Sequence, residues 1–199
     1  MQRSNKLFFS TKLDNGNKKL KEYLLSNLQK YTNLSKSVVL DVGCGNGRFA
    51  NLMKTDIRKY YGVDPSEEYI KHAKGEFQKI NNIKFKIGRA ENIPYTKHFD
   101  IILYTFSWHY IQNYKKAIKE LNRLSNKKTI VVILEPLQIP KGYLDPRLNK
   151  NSKQFDKTVW KNKLTKLKEA EKIIYKQKDF NILFNKRQGK NLWILKKGD

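Results

Sequence analysis

One cysteine, Cys44, stands in 199 residues, so neither an intramolecular disulfide nor a cysteine-based zinc site can form, and a reducing, cytoplasmic setting is expected. Histidine is nearly as scarce. With only His72, His98 and His109 available, no metal centre is expected. No apolar run approaches the ~18 residues of a membrane span, and Met1 to Lys12 holds no signal-peptide core, so a soluble protein without a membrane partner is expected. Acidic residues are few: 18 against 42 basic ones, a net charge of +24. Arginine is scarce as well, with seven arginines against thirty-five lysines.

What is present is a folded domain. An apolar share of 39% with 12% aromatics is too rich for a disordered chain, and 199 residues suit one domain. The basic excess suits a polyanion such as RNA. Abundant Lys, Asn, Ile and Tyr are also what AT-rich coding yields without any such partner, and both explanations stand. The charge is uneven: residues 1–37 carry +6, residues 38–135 carry +7 and residues 136–199 carry +11. That asymmetry favours a polyanion held by the flanks, although core strands exclude lysine in any case.

Leu20, Tyr23, Leu24, Leu28 and Tyr31 fall at helical spacing, so residues 18–31 read as an amphipathic helix. Val38 to Val42 reads as a strand entering a tight turn at Gly43-Cys44-Gly45-Asn46-Gly47, and Phe49, Leu52, Met53 and Ile57 mark the next helix. Tyr60 to Asp64 is a second strand, Tyr69 to Phe77 a helix, and Ile83, Phe85 and Ile87 alternate as a third strand. Phe99 to Thr105, a helix carrying Tyr114, Ala117, Ile118 and Leu121, and Thr129 to Leu134 continue the series. Strands alternating with helices imply a mainly parallel sheet with helices on both faces and a ligand at the strands' carboxyl ends. Beyond Glu135 the pattern predicts a long loop over Pro136 to Asp156, a helix near Lys157 to Glu171, and strands at about 173–184 and 191–196 forming an antiparallel hairpin. The expected organisation is one domain, residues 1–199: an N-terminal helical cap to 37, a ligand-binding core over 38–135 and a basic remainder.

The glycine turn carries the first chemical signal. Gly43 and Gly45 let the backbone bend sharply and approach a ligand, beside the free N–H groups of a helix start. A nicotinamide fingerprint would put its third glycine where Arg48 stands. Asp41, just upstream, would repel a pyrophosphate and attract a cation. Asp64 ends the second strand 19 positions after Gly45, where a carboxylate can accept both hydroxyls of a ribose. Asp64-Pro65-Ser66-Glu67 also reads as a helix start, with the acid as N-cap and the proline at the first helical position.

Val39 to Gly47, then Gly62-Val63-Asp64-Pro65-Ser66, then Ala90-Glu91-Asn92-Ile93-Pro94 and Phe99-Asp100 together resemble a class I S-adenosylmethionine-dependent methyltransferase, of the broad group that includes quinone-biosynthesis and small-molecule enzymes. The resemblance covers about residues 37–135. It implies a Rossmann-like α/β sandwich with a seven-stranded sheet whose last strand is inserted antiparallel, and S-adenosylmethionine as cofactor. By position, Asp41, Gly43 and Gly45 would surround its methionine part, Asp41 through the ammonium either directly or by water. Asp64 would hold the ribose, Pro65 would lie near the adenine, and Ala90 with Glu91 would border the base. Tyr104, Thr105 and Phe106 would line the sulfonium side. Where that family often carries a glycine pair before the fifth strand, Leu124 to Lys128 stands instead.

His109, just beyond the fourth strand, has the chemistry of a general base, or serves as a packing or orienting group. Trp108 and Tyr110 either stack on a flat acceptor or belong to the core. The segment Asp41 to Arg48 is also similar to that of wobble-uridine tRNA methyltransferases. With the basic flanks and the aromatics Tyr143 and Trp160, this favours an RNA acceptor, contacted also by Arg147. A small-molecule acceptor under a lid formed by 136–156 is the alternative. A non-catalytic subunit that binds or activates a partner is the third reading.

Overall fold

In the computed structural model, residues 15–136, 168–169, 171–187 and 190–198 are described. Seven strands form one sheet: β1 Val38–Val42, β2 Lys59–Asp64, β3 Ile83–Ile87, β4 Ile101–Thr105, β5 Ile130–Pro136, β6 Phe180–Arg187 and β7 Lys190–Lys197. Their order is β3-β2-β1-β4-β5-β7-β6. The first five run parallel, and β7 lies antiparallel between β5 and β6. This is the seven-stranded arrangement with a C-terminal antiparallel hairpin expected above.

β1 and β4 are buried at every residue, as near-continuous apolar runs must be when helices cover both faces. Helices α1 (Asn15–Leu28), α2 (Arg48–Met53) and α3 (Glu67–Glu76) pack on one face, where Leu24, Leu28, Phe49, Met53 and Ile70 meet Val39, Tyr60 and Leu103. Helix α4 (Tyr114–Arg123) covers the other with Ala117 and Leu121 against Leu40, Ile102 and Trp193, joined by Ile174. The opposite helix layers follow from right-handed crossovers on the two sides of β1.

The chain passes from β3 to β4 without a helix. Residues 88–100 are pinned to α4 instead: Ile93 N donates to Glu120 Oε2 at 2.8 Å, and Arg123 donates to the carbonyls of Tyr95 and Ile93 at 2.8 and 3.1 Å. The guanidinium and carboxylate are themselves 2.7 Å apart, and that proximity holds the Glu120 carboxyl below its ordinary range.

Several boundaries differ from the sequence reading: α1 spans Asn15–Leu28 rather than residues 18–31, and β4 begins at Ile101 rather than Phe99. Residues 171–176 are helical rather than strand, and β6 begins only at Phe180. Gln177 explains the break, since its side chain donates to Phe180 O and accepts from Phe180 N, both at 2.8 Å, which stops the helix and starts the strand. Helix α2 ends at Met53 rather than near Ile57. Apart from Pro136, which ends β5, the expected loop and lid over 136–156, most of the helix over 157–171, and the side chains of Tyr143, Arg147 and Trp160 lie outside the described residues. Among the described residues no helix is long and apolar enough to cross a membrane.

Candidate active site

Between β1 and β4 the connections leave in opposite directions, which opens a crevice beyond the strands' carboxyl ends. It measures about 600 Å³, within the range of small-molecule sites. Gly43 and Gly45 line it from the turn after β1, Asp64 and Pro65 from the end of β2, Ala90 and Glu91 from the loop after β3, and Tyr104 and Thr105 from the end of β4. Sequence positions spread over 63 residues thus meet at one mouth, because parallel strands bring equivalent ends together.

The turn is fixed by its own backbone. The amides of Gly43 and Cys44 both donate to Val63 O, at 2.8 and 3.0 Å, tying the bend to β2. Gly43 and Gly45 take φ of +80° and +54°, the left-handed region that glycine enters at no steric cost. A side chain would meet different surroundings at the two positions: a Cβ on Gly43 would lie 2.4 Å from Ser107 Cβ, whereas one on Gly45 would meet nothing within 4 Å. Gly43→Ala is therefore expected to lower the melting temperature by several degrees, since overpacking costs about 1–3 kcal/mol. Gly45→Ala should melt within a few degrees of the parent while losing ligand affinity, because its methyl enters the crevice. Thermal melts beside ligand titrations check the pair, and a cold-stable Gly43→Ala with unchanged melting would contradict the packing.

Asp64 is held from two sides. Its Oδ2 accepts from Gly45 N and its Oδ1 from Ser66 N, each at 2.9 Å. Each oxygen keeps a further lone pair for a ligand hydroxyl. Burial raises its pKa, opposed by those two amide bonds. Asp64 is not the cap of α3. Ser66 is, its hydroxyl accepting from Tyr69 N at 3.3 Å, and Pro65 precedes the cap instead of opening the helix. The capping explanation thus falls on Ser66, and Asp64 is left aimed at the turn.

Asp41 lies beneath the crevice floor, not on it. The carboxyl is wholly buried, because β1 is flanked by strands on both sides and layered on both faces. It accepts from the Tyr60 hydroxyl, and from Thr105 Oγ1 at 3.4 Å; Thr105 in turn lines the crevice. Burial pushes Asp41 up to about 7, opposed by the two hydroxyl bonds and by the Arg48 charge. The same burial, with the Asp41 charge nearby, raises the Cys44 thiol well above its ordinary range, which fits a turn residue and not a nucleophile.

Trp108 and His109 are not brought to the crevice. Trp108 is buried, edge-on to Tyr104 at 4.7 Å and against Tyr114 at 5.6 Å, so it is core. His109 is buried with its Nδ1 2.6 Å from Glu135 Oε2, and Glu135 Oε1 accepts from Trp108 N at 2.7 Å. One carboxylate at the end of β5 thereby fixes the turn after β4. Tyr110, packed on His109 at 3.9 Å, does line the crevice. Glu91 lines it as well, with Oε1 already accepting from Gln112 N and Asn113 N at 2.8 and 3.1 Å.

Sequence reasoning passed over Glu135, Ser107 and the ligand-side place of Arg48. Ser107 Oγ donates to Val42 O at 2.5 Å, closing β4 onto β1. Arg48 lines the crevice with its guanidinium 5.0 and 5.1 Å from the Phe49 and Phe106 rings. Phe106 carries φ of +58°, a left-handed conformation in a non-glycine residue at the crevice wall, where strain commonly marks a site. Only Glu135 left a trace in the sequence, as an acid ending an otherwise apolar strand.

A doubly wound sheet with its penultimate position filled by an antiparallel strand, and two carboxylates bracketing a glycine turn at its switch point, define a class I S-adenosylmethionine-dependent methyltransferase. The chain belongs to the methyltransferase domain family, which matches residues 33–188. It is similar to the uncharacterised methyltransferase YcgJ of Bacillus subtilis, at 32% identity over 43% of this chain and 35% of that one. It is also similar to the ubiquinone/menaquinone biosynthesis C-methyltransferase UbiE of Campylobacter jejuni, at 28% identity over 52% of this chain and 46% of that one. These matches span less than half the length of those curated relatives. In fold it resembles a SAM-dependent methyltransferase from Aquifex aeolicus, with a TM-score of 0.61 at 19% identity, covering 94% of this chain and 99% of that one.

Proposed function

We propose that the protein transfers a methyl group from S-adenosylmethionine to a small-molecule acceptor. The observation that carries the reading is the pairing of Asp64, at the mouth, with Asp41, under the floor, around a glycine whose missing side chain leaves open space. The residues fit the cofactor. Asp64 keeps lone pairs for the ribose hydroxyls, the Gly43 to Gly45 bend leaves room for the methionine part, and the negative field of Asp41 reaches a cationic ligand through Thr105. Ala90 and Pro65 offer apolar surface for the base, as the resemblance implies.

When bound, the cofactor supplies an electrophilic methyl on a sulfonium sulfur, so the chain's own task is to align the acceptor and exclude water. Tyr104, Phe106, Tyr110 and Ile111 give that end of the crevice an apolar, aromatic wall suited to a flat acceptor. His109 orients Tyr110 from behind, through its bond to Glu135, and does not abstract a proton itself. The quinone-biosynthesis relative supports a small acceptor over the RNA substrate that the charge alone suggested.

A labelled-methyl assay, run separately on a metabolite extract and on total RNA, tests the reading. Label should enter the metabolite fraction. Incorporation into RNA alone would overturn the acceptor class, and retained cofactor binding with no incorporation in either fraction would favour the non-catalytic subunit.

A further inference from the structure

The β2 and β3 strands have one face that no described helix covers. Helix α3 packs on the face holding Tyr60, Ile83 and Phe85, while α4 covers the opposite face farther along the sheet, against Ile102, Val131 and Trp193. The helix-free passage from β3 to β4 leaves the β2–β3 end of that second face to Tyr61, Tyr95 and Phe99, which pack together edge-on at 5.2 to 5.9 Å.

Around these rings stand lysines. Lys59 and Tyr61, two residues apart, share one side of β2, and Tyr61 and Val63 pair in register with Lys84 and Lys86 of β3. Lys97 Nζ lies 3.4 Å over the Tyr61 ring, and Lys86 Nζ lies 4.8 Å from the Tyr95 ring. Lys59, Lys84, Lys86 and Lys97 are all exposed. The segments 58–63, 82–87 and 92–99 contain no aspartate or glutamate. A hydrogen bond with Lys97 does most to lower the Tyr61 phenol pKa, burial opposes it, and the charges of Lys97, Lys59 and Lys84 add smaller downward effects.

We propose that this open lysine face of β2 and β3 binds the phosphate backbone of a single-stranded nucleic acid. Lys84 and Lys86, two residues apart on one strand, stand roughly 6.6 Å apart at the ~3.3 Å rise of a parallel strand, comparable to neighbouring phosphates on an extended strand. The chain's own remaining segments are poor occupants, because residues 1–14 carry +2 and residues 137–167 carry +6 and would be repelled. Protection of the β3 edge against pairing with another sheet accounts for lysines on β3 alone, and leaves Lys59 and Lys97 unexplained. The proposal is independent of the methyl acceptor, since the face lies outside the crevice and needs no cofactor.

The test is fluorescence anisotropy of a short labelled oligouridylate with the full chain across a salt series. Contacts through four lysines predict that this face contributes about −3 to the log-affinity slope, at ~0.7 per phosphate for single strands. Lys84→Gln with Lys86→Gln should shallow the slope by about 1.4 and weaken binding about tenfold at low salt. Lys59→Gln with Lys97→Gln, away from the edge strand, should do the same, so a β3 variant that associates does not leave the question open. Lys71→Gln with Lys74→Gln on α3, behind the sheet, removes equal charge and should change the slope by less than half as much. Equal losses from all three pairs would overturn the site. So would polyglutamate or phosphatidylserine vesicles binding as tightly as the oligonucleotide at equal charge.

Discussion

Asp64→Ala will weaken S-adenosylmethionine binding at least a hundredfold in titration calorimetry. Hydrogen bonds to a charged acceptor are worth about 1.5–3 kcal/mol each, and two ribose hydroxyls would lose theirs together. The variant also removes the acceptor of Gly45 N and Ser66 N, so some of the loss would come from a loosened turn. Asp64→Asn separates the two effects. Its remaining amide oxygen can still accept one of those backbone bonds, and its affinity should fall by about tenfold, with a smaller change in melting temperature. Binding heats equal to the parent's in both variants would remove Asp64 from the site.

Asp41→Asn is expected to make the ligand-free protein more stable at pH 8 and, in the same change, a poorer binder of a cation. In the folded state Asp41 is raised from 3.8 to about 7. The native state therefore holds this proton more tightly than the unfolded chain does. Its contribution to stability is full below the unfolded value and is lost as pH rises through about 7. At ~1.4 kcal/mol per pKa unit the loss is roughly 4 kcal/mol at most, and asparagine avoids the ionisation that causes it. The stabilisation should shrink as pH falls and vanish only below the unfolded value of 3.8, where the carboxyl is protonated in the unfolded chain as well. A cationic ligand reverses the preference, since it favours the ionised carboxylate. Cofactor affinity of the parent should then rise roughly tenfold between pH 6 and pH 8, while that of Asp41→Asn stays flat. A parent dissociation constant indifferent to pH over that interval would show that Asp41 does not feel the ligand's charge.

The strands were legible because burial on both faces leaves a plain sign: Val38 to Val42 and Ile101 to Thr105 are almost wholly apolar. Their parallel sense followed from the helices between them. The glycine turn was legible too, since Gly43 and Gly45 take the left-handed backbone that their residue type permits, and Asp64 meets the turn through Gly45 N. Where two residues could serve one role, local pattern misled. Asp64 and Ser66 are both good caps, and only the hydrogen bond to Tyr69 N decides for Ser66. Likewise Trp108, His109 and Tyr110 are consecutive and chemically apt, yet a tight turn sends the first two inward and only the third to the crevice wall.

From its amino acids alone this protein determined an alternating α/β order, a glycine bend and two acids near it, because each is set by neighbours within a few positions. The tertiary structure alone decided which acid lines the crevice and which lies below it, that Glu135 holds the turn bearing His109, and that no described helix covers the lysine-lined side of β2 and β3. Those outcomes depend on what packs from 26 to 64 residues away. Burial and long-range hydrogen bonds set them, and neither leaves a periodic mark in the chain.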